Sequence, residues 1–453
     1  MLRLSQLFSV AICCAFGLGT FASCGQGSET AAAERDFAEQ AAFSNGPLEV
    51  WGQDAAPTLF GGSNNNSTFG IRGWLSQGVT ANPDDPINRE NSPVTFNDRA
   101  NEYQMNQLYL IAERNVATDG CSWDIGGRVD VLYGTDYYFT TATGMETRSD
   151  GSQHWNGASG PRGAGPGAAP LYGLSLPQAY AEIYAPYLNG ITLRAGHFYS
   201  PLGYERAASP ENFFYSHSYA RQYAIPMTLT GAMATVRLTP QTAVILGGTL
   251  GWNSWDSARD QWGVLGGFVW QSCDERTAAS LVVHTGDDGP PNVNTPGFFA
   301  GPSTPDNVTV ASLVLSQRVS DELRYVFQHD FGVEQDAELV GASLNAAKWY
   351  GISQYIMYDL NSCWSFAMRF EWFRDQDHAR VLNVPIQGTV SGGNYYGLTA
   401  GINWTPHESL VIRPEIRYDW SDTESTALNI GGPYDFFSDD DQVTLAFDAI
   451  LLF

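Results

Sequence analysis

Lysine is nearly absent from this chain. Of 453 residues only Lys348 is lysine, and every other basic residue is arginine. Lysine and arginine together number 23 against 48 acids, a formal net charge of −25. Nucleic-acid phosphates need basic partners, so such acidity excludes nucleic acid as the expected partner; it gathers cations instead. Charge of either sign is also scarce, at 16% of residues against about 25% in ordinary soluble domains. Long apolar runs are missing. Beyond the N-terminal region no segment reaches the roughly 18 consecutive apolar residues that a membrane-spanning helix requires. Cysteine is sparse as well. Cys121, Cys273 and Cys363, the only ones beyond Cys24, lack metal-ligand spacing. They read as three separate thiols at short turns. A disulfide between two of them would suit an oxidising compartment and leave one unpaired.

What is abundant is glycine, 47 residues, and aromatics, 13%. Turn signals recur along the whole chain, and between them the polarity alternates with a period of two. The last twelve residues, QVTLAFDAILLF (442–453), show this best. Val443, Leu445, Phe447, Ala449, Leu451 and Phe453 share one face, in a segment long enough to cross a bilayer as a tilted strand. Hydrocarbon cannot satisfy open backbone groups, so a chain that spans it without helices must close into a barrel. Alternating barrel strands also explain a mean hydropathy of only −0.21. The N-terminus fits an exported protein. Arg3, the apolar run 7–18 and the small-residue site near Ala22 read as a signal peptide over 1–23. Cys24, after Phe21, Ala22 and Ser23, makes a loose lipoprotein box. Residues 24–66 read as a poorly ordered periplasmic lead-in, and 67–453 as the barrel domain.

The expected strands lie near 68–80, 104–114, 122–134, 176–186, 190–198, 226–238, 241–253, 259–271, 275–286, 307–318, 322–332, 345–359, 363–374, 393–404, 408–420 and 441–453. They number sixteen, joined alternately by short turns and long loops. The fold class is therefore all-β: a transmembrane antiparallel up-and-down barrel with short periplasmic turns and long external loops. Adjacent aromatics such as Tyr137-Tyr138-Phe139, Trp252 with Trp255, Trp349-Tyr350 and Tyr395-Tyr396 read as girdles at the lipid–water boundary.

Charge sits on one face of several strands. Arg413, Glu415, Arg417 and Asp419 alternate with Ile412, Pro414, Ile416 and Tyr418. A charge at mid-depth on the lipid face costs a barrel about 2–4 kcal/mol, so these ladders point inward. The same parity assigns Arg72, Arg128, Asp130, Glu182, Arg194, Arg237, Arg324, Arg369, Glu371 and Asp448 to the lumen. At sixteen strands side chains do not fill the bore, and a hydrated, conducting lumen is expected. The third external loop, 199–225, holds both charge signs and many aromatics. It is expected to fold into the bore and form a constriction with Glu205, Arg206, Glu211 and Arg221. Loops 287–306 (Asp287, Asp288, Asp306) and 421–440 (Asp422, Glu424, Asp435, Asp439, Asp440) are acidic, which favours cation passage. No calcium-loop spacing occurs, and no metal or cofactor is expected.

Three further segments stand out. RAGHFYSPLGYE (194–205), NFFYSHSY (212–219) and PMTLTG (226–231), with LPQAYAE (176–182) upstream, together resemble the OmpL-like β-barrel porin family. The resemblance is specific over about 176–235 and looser elsewhere. It implies an outer-membrane porin fold and brings no catalytic residues. The leading expectation is passive diffusion of small hydrophilic solutes or ions. The alternatives are a structural or adhesive barrel that anchors surface loops, and a barrel enzyme using His197, Ser200, Ser216 or His217. Outer-membrane lipid is the expected environment. A homotrimer is the assembly suggested by fold-level analogy.

Overall fold

Period-two alternation produces sixteen strands, labelled here in chain order: β1 (Phe69–Ala81), β2 (Tyr103–Arg114), β3 (Asp124–Gly134), β4 (Gly173–Ala185), β5 (Ile191–Tyr199), β6 (Thr228–Thr239), β7 (Thr242–Trp252), β8 (Gly263–Gln271), β9 (Thr277–Asp287), β10 (Asn307–Arg318), β11 (Leu323–Gln335), β12 (Ala346–Asn361), β13 (Trp364–Asp375), β14 (Gly393–His407), β15 (Leu410–Ser421) and β16 (Asp441–Leu452). The computed structural model describes residues 69–118, 122–148, 152–157, 160–162, 168–256, 262–287, 307–339, 342–381, 392–423 and 431–453. The signal peptide, Cys24 and the lead-in lie outside these residues, as do Cys121, Glu424 and most of loop 287–306.

Each strand pairs antiparallel with its sequence neighbours, and β1 pairs with β16, so the sheet closes without an edge. Closure satisfies every strand's backbone within the sheet, which a lipid environment demands. At the seam Trp74 lies opposite Leu452 and Ala81 opposite Leu445. Gly73 and Phe453 exchange two backbone hydrogen bonds, 2.8 and 2.9 Å. All sixteen expected strands are present. At one end the chain turns within a few residues, as at 240–241, 319–322, 362–363 and 408–409. At the other it runs through loops such as 82–102, 135–172 and 200–227.

Parity divides the faces as the charge ladders require. Along β13, Phe366, Met368 and Phe370 are exposed, whereas Arg369, Glu371 and Phe373 are buried. Along β15, Pro414, Ile416 and Tyr418 are exposed, whereas Arg413, Glu415 and Arg417 are buried. The exposed apolar set, including Leu246, Phe268, Leu281 and Phe447, forms the lipid-facing belt.

The aromatic girdles are made differently from the expectation. Residues adjacent on a strand point to opposite faces, so only one residue of Trp349-Tyr350 and one of Tyr395-Tyr396 can face lipid. Trp349 and Tyr395 are buried inside, while Tyr350 and Tyr396 are turned outward. Tyr137, Tyr138 and Trp252 are buried too. Outward aromatic pairs near the long-loop end are Tyr350–Trp372 and Tyr396–Trp420. Near the turn end they are Trp364–Trp404 and Trp123–Tyr187. The reading of three separate thiols also gives way. Cys273 is disulfide-bonded, and Cys363 is an exposed free thiol.

Candidate functional site: the loop inside the barrel

Loop 200–227 leaves β5 and crosses to the opposite wall. There the Gly203 N–H donates to Ser312 Oγ on β10 (3.2 Å) and the Tyr204 N–H to Gln328 Oε1 on β11 (2.8 Å). Gly203 has φ +79°, and a Cβ there would meet Ile225 and Gln328. Both the left-handed backbone and the close approach require glycine. The Asn212 side chain then holds a tight bend: its Oδ1 accepts from Arg206 N–H, and its Nδ2 donates to Arg206 O and Ala208 O, all at 2.8–2.9 Å. A π-helical turn, Ala220–Ala224, ends the crossing against β12, where Trp349 Nε1 donates to Ala224 O (3.1 Å).

The inward ladders of β13, β15 and β16 grip this loop. Arg369 donates from Nη1 to Glu205 Oε1 (2.8 Å) and Ser216 O (2.7 Å), and from Nη2 to Ser216 Oγ (3.0 Å). Tyr355 Oη donates to the same Glu205 oxygen, and the Ser218 N–H takes the other (2.9 and 2.8 Å). Glu415 accepts the N–H groups of Tyr215 and Ser216 (2.8 and 3.2 Å). Arg417 donates to His217 O (2.6 Å) and pairs with Asp419 (2.7 Å). Arg413 pairs with Asp448 (2.6 Å) and donates to Ser209 O and Asn212 O (3.0 and 2.7 Å). On β2, Gln107 Nε2 donates to Ala207 O, and its Oε1 accepts the Ser209 N–H (2.7 and 3.0 Å). The first external loop lies against the same segment. Thr95 bonds the Gln222 side chain, and Phe96 packs on the His217 ring at 4.3 Å.

Burial pushes the Glu205 carboxyl up, but Arg369, His217 and the Ser218 N–H together hold it well below its ordinary range. Burial outweighs Glu205 at His217 and lowers the imidazole. At neutral pH the two therefore meet as a carboxylate and a neutral ring (3.2 Å). Burial, then the neighbouring Arg206 charge, pulls Arg221 down to about 10.

The residues assigned to the lumen by parity differ in burial. Asp130, Glu182 and Arg194 on β3–β5 are covered, and so are Arg369, Glu371, Arg413, Glu415, Arg417 and Asp448, with Glu205 and Arg221 of the loop. The ladder on this side holds protein rather than lining water, because loop carbonyls and N–H groups supply its partners. Arg72, Arg128, Arg237 and Arg324 keep part of their surface, as do Arg206 and Glu211 of the loop. Arg72, its side chain 33% accessible, pairs with Glu113 and also feels Arg128 and Glu211. Arg128 pairs with Asp130 (2.7 Å), and Arg194, over the Tyr180 ring, with Glu182 (3.1 Å).

Several partners escaped sequence reasoning: Tyr355, Gln107, Ser216 as a ligand of Arg369, and Arg380. The Arg380 guanidinium lies over Trp252 and Trp349 (5.0 and 4.7 Å) and donates to Tyr223 O. Strand parity alone would have turned Tyr355 and Gln107 inward. Arg380 lies beyond the end of β13 and left no such signal. The residues considered for catalysis are engaged elsewhere. His197 bonds Thr230 and His217 bonds Glu205. Among the described residues no hydrogen bond links Ser200 or Ser216 to either histidine.

A closed sixteen-stranded barrel with an apolar belt, short turns at one end and a long loop packed inside defines a porin of the bacterial outer membrane. The chain belongs to the family described as "Putative beta-barrel porin-2, OmpL-like", whose model matches residues 68–453. No curated protein matches it in sequence. Among solved structures it is similar to the outer membrane channel DcaP of Acinetobacter baumannii (TM-score 0.52, 10% identity, 85% of this chain and 97% of that one). It is also similar to an anion-selective porin from Comamonas acidovorans (0.52, 8%, 85% and 99%). Pseudomonas putida OprB is comparable (0.50, 12%, 85% and 94%). At these identities the likeness is one of fold. The family and these neighbours are channels.

Proposed function

We propose that small hydrophilic solutes and ions diffuse passively past the inserted loop, along the wall built by β1–β6. One observation supports this route above others. The charges of β13, β15 and β16 that fix the loop are buried, whereas Arg72, Arg128 and Arg237 on β1, β3 and β6, with Arg206 and Glu211 of the loop, keep part of their surface. Water retained at guanidinium groups of both walls is what a polar solute needs to pass without shedding its hydration. In this reading Arg206 and Glu211 form the solute-facing edge of the constriction, while Glu205 and Arg221 set the loop's position. No catalytic role is assigned, and a homotrimer remains part of the proposal by analogy with the fold.

Reconstitution in a planar bilayer in potassium chloride tests the route. Stepwise openings are expected. Silence from folded, heat-modifiable protein would instead favour a barrel that anchors loops. Selectivity follows from the external mouth. Asp84 is pushed up by burial and by Asp439, Asp435 and Asp441, so these acids crowd together at the rim. Reversal potentials are expected to show cation preference that fades as salt screens the rim. Arg72→Glu should strengthen it; a clear anion preference in the wild type would overturn the assignment.

A further inference from the structure

Inward carboxylates in this barrel follow a pattern. Among the described residues, Glu113, Asp130, Glu182, Glu371 and Asp448 each have an arginine nitrogen within ion-pair distance. Glu415 and Asp375 use backbone N–H groups instead, and both oxygens of each are engaged. Asp330 on β11 does neither. It is fully buried, and among the described residues no cationic side chain pairs with it and its Oδ1 has no hydrogen-bond partner. Gln328 Nε2 donates to Oδ2 (2.6 Å), and Ser312 lies directly across on β10. His329, the adjacent titratable residue, belongs to the outward face and bonds Gly351 O.

A second orphan lies beside it. Ser353 Oγ on β12 is buried and has no partner among the described residues. Ser353 lies opposite Gln328, one diagonal step from Asp330. Diagonal neighbours of an antiparallel pair are roughly 7 Å apart at Cβ or a little less, a gap that one atom bonded to both side chains closes. A proton on Asp330 would remove the charge but leave Ser353 without a partner. A water would serve the hydrogen bonds but leave a buried charge uncompensated, which is costly.

We propose that Asp330, Ser353 and Ser312 form a binding site for a monovalent cation, sodium or potassium, with the Gln328 amide holding the carboxylate in place. The site offers one formal negative charge and otherwise neutral oxygens. Calcium takes six to eight oxygens, commonly from several carboxylates, and magnesium demands near-octahedral geometry; either would leave surplus positive charge buried here. The position matters because Ser312 and Gln328 are also the residues that accept the N–H groups of Gly203 and Tyr204. The ion thus braces the wall against which the loop makes its far turn. This role is independent of whether the barrel conducts.

The test compares the unfolding midpoint of the refolded full chain in sodium, potassium and N-methylglucamine chloride at equal ionic strength. A ligand that binds only the folded state raises the midpoint. Sodium or potassium should raise it above the bulky organic cation, and Asp330→Asn, nearly isosteric, should abolish the difference while conductance persists. Equal midpoints in all three salts would make Asp330 a buried neutral acid and overturn the proposal. So would a salt response that survives in Asp330→Asn, or a stronger response to magnesium. Should that variant fail to fold, thallous ion soaked into wild-type crystals decides. An anomalous peak between Asp330 Oδ1 and Ser353 Oγ is expected, and its absence would overturn the site.

Discussion

Arg369 shows how much one inward side chain can carry. It joins β13 to two parts of the loop at once, through Glu205 and Ser216, and lies over the Phe214 ring at 5.1 Å. Removing one partner of a buried pair strands the other, at about 3–5 kcal/mol. Arg369→Met should therefore lower the unfolding midpoint and give larger, noisier single-channel steps as the loop loosens. Unchanged conductance would show that the remaining attachments suffice. Glu146 gives a pH-dependent case. It accepts the N–H groups of Ala142 and Leu176 (2.8 and 2.7 Å), and burial raises its carboxyl to about 7. A raised acid favours the folded loop in its protonated form. That contribution is complete below the ordinary value of 4.5 and is lost as pH rises through about 7. Proteolytic nicking of loop 135–172 should increase as pH rises from about 5 to 7, and Glu146→Gln should flatten the profile.

At the scale of the element, a strand's two faces have opposite tolerances. Phe370 on β13 faces lipid between Arg369 and Glu371, which face the loop. Phe370→Arg should cost about 2–4 kcal/mol in a bilayer, read as a fall in refolding yield into vesicles. The same substitution at Arg237's neighbour Leu238, near the turn end, should cost far less. This regularity is why the strands were legible in the sequence: alternation and turn residues act locally, and all sixteen strands emerged from them. Along β15 the charge ladder coincides with the buried face, at Arg413 and Arg417. Whether an inward arginine meets water or protein depends on where a distant loop travels, which no local pattern encodes. Arg369 and Arg72 looked alike on that basis, yet one is fully buried and the other accessible. The aromatic pairs misled for a simpler reason, since Trp349 and Tyr350 cannot share a face. Asp330 and Ser353 lie on different strands, so no spacing in the chain connects them.

Over the whole molecule, the loop ties opposite walls together. It is bonded to the run β10, β11, β12, β13 and β15 and, beyond the β1–β16 seam, to β2. Such a barrel should unfold as one cooperative unit, with heat-modifiable mobility and loop protection lost at the same temperature. Separate transitions would indicate a loop that docks independently. The attachments also bear on the order of assembly. Arg413, which holds the carbonyls of Ser209 and Asn212, takes its own acid from Asp448 on the last strand. β16 in turn completes the ring by pairing with β1. The final hairpin therefore both shuts the cylinder and locks its contents. A chain arrested before β16 would have an open side and, at the same moment, an unpaired arginine facing the loop. The strand that seals the ring is thus the same one that supplies the acid for an arginine holding the loop.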